Sequence, residues 1–333
     1  MTSVETKRTG GKPRTEVRAG PGLLRRNATR VILAVLILAV IACVVVTPAF
    51  LTPANIRAVV QNAALMGIVA VTMTPMAMSG NFISLGTQQS MVLASMSFLA
   101  LLSQGVPAFV AVVVILAGLT LLGVLQGVIV ALGLNSVITT LAFGVIVVGV
   151  IQKVNSGGAD VTAGDHPVGW GAATVLGIPL QVVVLIVVTV LVTGGMTGTT
   201  MGRRAMLTGA NAAAAKVSGI PTNRVTVGVF ALASAGMGLA GILGAAQFGI
   251  SGPGDFSEIT FGAASAILIG GTSIAGGMGS ALRSAIGAVV IGGISRLMTL
   301  NSFTPGTRGV IEGALVIGVV VAVETARLRR TRG

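Results

Sequence analysis

A chain of 333 residues that is 53% hydrophobic and only 9% charged, with a mean hydropathy of +0.98, departs from soluble globular proteins, in which about a quarter of residues are charged. It reads as a polytopic membrane protein, and the formal charge of +13 does not point to nucleic acid, because the basic excess sits at the termini and in one internal loop. One cysteine, Cys43, excludes an internal disulfide, and 48 glycines suit close helix packing in lipid.

Residues 1–29 form a basic arm, too long and too basic for a cleavable signal, which we read as a disordered cytoplasmic tail. Apolar runs of about 17–25 residues, broken by Gly, Pro, Asn or charge, predict ten spans. They are 30–47, 57–78, 87–103, 108–131, 136–153, 179–198, 225–247, 259–275, 281–299 and 308–326. The expected fold class is an all-α bundle, with a membrane domain over 30–326 and a basic tail over 327–333. Eight of the 21 Lys and Arg lie between Lys7 and Arg30, four in the 202–224 loop, one at Arg283 and four in the C-terminal tail. A ten-span topology puts all of these on one side, the cytoplasm, together with both termini. Asp160, Asp165, Asp255 and Glu258 then fall on the outer face with His166 and Trp170. The expected location is a cell membrane, crossed several times.

The segment Gly80-Asn81-Phe82, followed by Gly86 and Ser90, has an echo in Gly254-Asp255-Phe256, followed by Gly262 and Ser265. The two lie on opposite sides of the predicted topology, as an inverted repeat of spans 2–5 and 7–10 requires; chance similarity between Gly- and Ser-rich segments is the other reading. Ser79 to Gly86 interrupts two apolar runs with polar side chains, Asn81, Phe82 and Ser84 among its residues, and such a break is either a cavity-lining segment or an ordinary turn. Asn135, Ser136, Thr139 and Thr140 form a second polar cluster at the start of the fifth span. Its hydroxyls bind solute or bond their own helix carbonyls. The amides Gln61, Asn62, Gln88 and Gln89 lie within spans and either bind hydroxyls or bridge helices, bridging being the simpler role. Glu312, one turn into the last span, has Arg308 four residues earlier as its expected partner.

The segment from Gly202 to Ile220 is a basic island between spans, helix-capable and Ala-rich, suited to a groove on a cytosolic partner. The turn Gly270-Gly271-Thr272-Ser273-Ile274-Ala275-Gly276-Gly277-Met278-Gly279 has no Gly-Lys-[Ser/Thr] ending, so it is expected as a tight cytoplasmic turn near the island and not as a phosphate loop. No carboxylate pair or metal-ligand spacing lies within the spans, so no catalytic residue, metal or cofactor is expected.

The island carries a Gly-Arg-x5-Gly-x-Asn-x-Ala-Ala-x3-Ser-Gly-Ile pattern at Gly202, Arg203, Gly209, Asn211, Ala213, Ala214, Ser218, Gly219 and Ile220. The Gly-Gly-Thr-Ser-x-x-Gly-Gly-x-Gly turn at Gly270, Gly271, Thr272, Ser273, Gly276, Gly277 and Gly279 follows two spans later. By these two motifs the chain resembles the permease subunit of ribose-type sugar ABC importers, of the binding-protein-dependent transport family, from Phe50 to about Glu324. The resemblance implies a type II importer fold. It also implies a membrane dimer with a second copy or a paralogue, two ATPase subunits on the cytoplasmic side and a periplasmic or lipid-anchored solute-binding protein on the other. A sugar-like solute and a coupling helix over 205–219 are implied as well. The chain departs from the family's pattern at Phe82, where relatives carry an aspartate, and at Val148-Gly149, where they carry Arg-Gly. The rival reading, an ion-coupled secondary transporter, has only Glu312 as a coupling acid.

Overall fold

The computed structural model describes residues 52–318, apart from 155–159, 165–167, 176, 274, 305, 312, 315 and 316. The first expected span, both tails, Cys43, Asp165, His166, Glu312 and the end of the last expected span lie outside the described residues.

Ten helices with defined bounds follow in order: α1 (Pro53–Met78), α2 (Thr87–Ser103), α3 (Ala108–Ala131), α4 (Ser136–Val154), α5 (Leu180–Gly198), α6 (Thr200–Ala210), α7 (Ala212–Val217), α8 (Thr222–Phe248), α9 (Ile259–Ile269) and α10 (Ala281–Leu300). Helical residues resume over 306–311 and at 313, 314, 317 and 318. Two small antiparallel pairs close the loops: β1 (Val161–Thr162) with β4 (Ile250–Ser251), and β2 (Thr174–Val175) with β3 (Ile178–Pro179). Six of the helices are long and apolar enough to cross a membrane, which establishes an all-α multi-pass architecture.

α1 and α8 form the axis of the bundle. Ile68, Val69, Ala70, Val71 and Met73 of α1 are wholly buried, packed with Val225, Phe230 and Met237 of α8. The rim helices α3, α4 and α5 are more apolar than α1 yet far less buried, with Leu121, Val145 and Leu191 fully outward. The pattern follows from the solvent: a helix facing lipid must be apolar, whereas one enclosed by protein tolerates Thr and Gly if its partners satisfy them. Small residues set the crossings. Gly123 and Gly127, one turn apart on α3, leave no room for a Cβ against Phe230 O and Val227 Cα of α8, so the two backbones touch.

α1 ends and α8 begins at the end of the bundle that carries Arg203, Arg204 and Arg224, so these two long helices run in opposite directions. Each is followed by a non-helical stretch (79–86 and 249–258) and then a shorter helix, α2 or α9. The N-termini of α2 and α9 meet: Gln88 N–H donates to Thr260 Oγ1 at 3.2 Å, and Gln88 Nε2 donates to Asp255 O at 3.1 Å. α3 packs on α8 as α10 packs on α1. The segments 80–82 and 254–256 thus each lie in the non-helical stretch between a long helix and a shorter one.

One span needs correction. The run 259–275 was expected to cross the membrane, but α9 has only 11 residues, about 16 Å of helix, roughly half the hydrocarbon thickness. Its helix stops because Gly270-Gly271 turns the chain, Gly271 taking φ +77°. By contrast α2 and α3 have the predicted bounds, since Gly86, Gly105 and Pro107 punctuate both ends.

Candidate functional site

At the basic end, Thr199 Oγ1 accepts from Gly202 N–H and starts α6. α6 turns Gly202, Ala205 and Thr208 inward, and a Cβ on Gly202 would collide with the backbone of Met196. At Asn211 the backbone is extended, and its Oδ1 accepts from Ala214 N–H at 3.0 Å, capping a new helix. The single coupling helix expected over 205–219 is thus two: α6, seated on the bundle, and α7, which projects from it. In α7 only Ala215 is buried; Ala213, Ala214 and Lys216 are exposed and Val217 is 91% exposed. Gly219 at φ +77° closes α7, with Ser218 exposed beside it.

α1 ends in a Schellman turn, with Asn81 N–H on Met76 O, Gly80 N–H on Ala77 O and Gly80 at φ +84°. Three segments cross there. Gly277 N–H donates to Met78 O at 2.8 Å, a Cβ on Gly276 would lie 2.8 Å from Gly80 Cα, and one on Gly209 would collide with Met78 O. The turn 270–279 is tight, with Ser273 N–H on Met278 O, Gly276 N–H on Ser273 O and Gly279 pressed on Met78 and Thr272. Gly270 abuts the backbone of Arg283. The end of α1, the end of α6 and this turn therefore meet backbone to backbone.

The break after α1 leans on α4. Phe82 N–H donates to Ser136 Oγ at 3.2 Å and Leu85 N–H to Thr140 Oγ1 at 3.3 Å. Asn81 Nδ2 bonds Ser79 Oγ, and Thr87 Oγ1 bonds Ser84 O. The two polar clusters of the sequence are thus one, and its hydroxyls satisfy the backbone that the break exposes. Asn135 Oδ1 accepts from Val137 N–H and Thr139 Oγ1 donates to Asn135 O, so these two serve their own helix. Phe82 is 39% exposed. Gln61 belongs to a buried amide chain at the opposite end, where Gln181 Nε2 donates to Gln247 Oε1 at 3.0 Å and Gln247 Nε2 to Gln61 Oε1 at 3.5 Å. Gln61 and Gln88 bridge helices.

Of the predicted path residues, Asn81 and Phe82 border only a small pocket beside Thr272 and Ser273, whereas Asn62 faces a cavity of about 210 Å³, far beyond the ~10–15 Å³ that admits one water. Glu258, Arg296, Ser257 and Ser295 form its polar wall; Leu65, Phe248 and Phe256 its apolar one. Arg308 pairs with Glu258 at 3.4 Å, the one ion pair among the described residues; the expected partner Glu312 lies outside them. Arg296 Nη2 donates to Asn55 Oδ1 at 2.7 Å, while its buried Nε has no partner among the described residues. Phe248 and Phe256 also line a second cavity of about 330 Å³ with Asp160, Ser251 and Asp255. Phe256 holds φ +58°, a conformation rare for a bulky residue, and its ring fits against Gly244, where a larger side chain would clash. Glu258 and Arg296 lie outside the solute path that the sequence predicts. A usable signal existed in Arg296, a charge inside the predicted span 281–299. Among the described residues no cluster of His, Cys, Asp and Glu has the makings of a metal site.

A family model described as the permease component of branched-chain amino acid transport systems matches residues 55–320. The ribose import permease protein of Haemophilus influenzae is 28% identical over 274 residues, covering 80% of this chain and 84% of the relative. That of Escherichia coli K12 is 29% identical over 278 residues, covering 82% and 86%. The xylose transport system permease protein of Escherichia coli K12 is 32% identical over 158 residues, 46% of this chain and 39% of the relative. No solved structure matches.

Proposed function

We propose that this chain, which belongs to the family of permease components of branched-chain amino acid transport systems, is the membrane-spanning subunit of an ATP-binding-cassette importer of sugars. Ribose and xylose, named for its relatives, set the substrate class. The subunit works as a dimer, with a second copy or a paralogue, in the bacterial inner membrane. Separate ATPase subunits bind at the basic end, which is cytoplasmic along with both termini, and a solute-binding protein docks at the opposite end. The chain itself carries out no chemistry.

The observation that carries this reading is α7. A six-residue helix that buries one residue and exposes Ala213, Ala214 and Val217 contributes little to its own fold. An apolar helix held out in water is a recognition element, and an ATPase groove is the partner that suits it. The crossing of Gly80, Gly209 and Gly276 gives α7 a rigid route to the end of α1, because backbone in contact with backbone transmits displacement without slack. The 202–220 and 270–279 segments act as the coupling elements, and the break at 79–86 with Asn62 and Gln88 borders the solute path. The test is Ala213→Glu and Ala214→Glu. Both side chains are exposed, so membrane insertion and detergent stability should match the wild type, while co-purification of the ATPase should be lost. Retained association returns α7 to an ordinary loop.

A further inference from the structure

We propose that the cavity walled by Asn62, Glu258 and Arg296 holds the solute in transit and is built for a neutral polyhydroxylated molecule. This rests on the permease reading above and adds the residues and the charge state of the solute.

Three elements far apart in sequence bring their polar groups here: Asn62 from α1, Glu258 from the residue before α9, and Arg296 from α10. Facing them are Phe248 and Phe256. A sugar ring has this same two-sided character, with hydroxyls around its edge and apolar C–H faces. A carboxylate accepts from neighbouring hydroxyls, an amide both donates and accepts, and a guanidinium donates. Arg296 Nε, buried without a partner among the described residues, is a donor still to be satisfied, and native structures seldom leave one stranded.

The charges decide between solute classes. Arg308 lies 3.4 Å from Glu258, and Arg296 already donates to Asn55 Oδ1. The carboxylate is offset by a neighbouring cation, yet the long contact leaves it lone pairs for hydroxyl donors. A zwitterionic amino acid would call for an uncompensated anion and an uncompensated cation, and Glu258 is not one. The break at 79–86 is a poorer site, since the hydroxyls of Ser136 and Thr140 are occupied by its backbone. The adjoining cavity beside Asp160 and Asp255 supplies an approach through Phe248 and Phe256 from the end away from α7.

The experiment uses the assembled transporter, with its own ATPase and solute-binding protein, in proteoliposomes containing ATP. Uptake of radiolabelled ribose, xylose, galactose and leucine is measured beside ATP hydrolysis stimulated by the binding protein. Glu258→Gln and Asn62→Leu should each lower sugar uptake about tenfold, the scale of losing a hydrogen bond to a charged or buried group, while stimulated hydrolysis stays near wild type. Asn62 is exposed to the cavity, so its replacement leaves the fold intact. Glu258→Arg with Arg308→Glu restores the ion pair but moves the carboxylate, and uptake should stay low. Recovery of uptake in that swap would make the pair structural and overturn the proposal, as would wild-type sugar uptake in both single variants or a response confined to leucine. A wild-type complex that moves none of the four solutes would instead refute the permease reading for these substrates, and the proposal with it.

Discussion

Replacing Gly209 with alanine tests the backbone crossing that joins the island to the core. The new Cβ would collide with Met78 O and lie 2.7 Å from Gly277 N and 2.9 Å from Gly80 N. All three are backbone atoms, two at the end of α1 and one in the 270–279 turn, so no side chain can swing aside. Overpacking of this kind costs about 1–3 kcal/mol. Prising the segments apart also breaks the 2.8 Å bond from Gly277 N–H to Met78 O, stranding a donor at about 1–3 kcal/mol. Alanine returns about 1 kcal/mol of helix propensity in α6. The net loss centres near ~3 kcal/mol. Gly195→Ala is the matched control, because a Cβ there meets nothing within 4 Å and the residue lies inside α5. Unfolding in detergent, followed by tryptophan fluorescence of Trp170 and by size exclusion, should show Gly209→Ala clearly below wild type and Gly195→Ala at or above it. Equal stability of the two variants would refute the claim that the three segments are locked together.

Thr140→Val removes the hydroxyl that accepts from Leu85 N–H at a fully buried site, and a loss of about 1–3 kcal/mol should appear in the same unfolding assay, whereas Thr197→Val, at an exposed hydroxyl bonded only within α5, should be near neutral. On a Cys43→Ser background, cysteine at Thr174 should react with an impermeant thiol reagent from outside intact cells, and cysteine at Ala212 only after permeabilisation; both positions are exposed, so a shared sidedness would contradict the assigned topology.

Much of the helical layout was legible because glycine and proline bound the apolar runs. Ala108–Ala131 follows Pro107 and stops short of Gly133, and its bounds are those the sequence predicts. The short α9 was misread because hydropathy counts apolar residues and not turns: the run continues past Ile269, but Gly271 at φ +77° ends the helix. The resemblance implies one helix over 205–219, but Asn211 breaks it by capping Ala214 N–H. The sequence marks Asn62 and the in-span charge of Arg296 separately, but not that residues 62, 258 and 296 meet, which follows from α10 and the start of α9 packing beside α1. Likewise Arg308 finds Glu258, fifty residues away in sequence, because the start of α9 lies beside the helical residues after α10.

The central claim is that this chain moves solute only as one part of an ATP-driven assembly. Proteoliposomes containing the chain alone should accumulate no ribose or xylose under any proton or sodium gradient. Uptake should appear when the ATPase, internal ATP and the loaded solute-binding protein are all supplied, and Glu312→Gln should retain most of it. Gradient-driven uptake by the isolated chain, abolished by Glu312→Gln, would contradict the account and establish an ion-coupled secondary transporter.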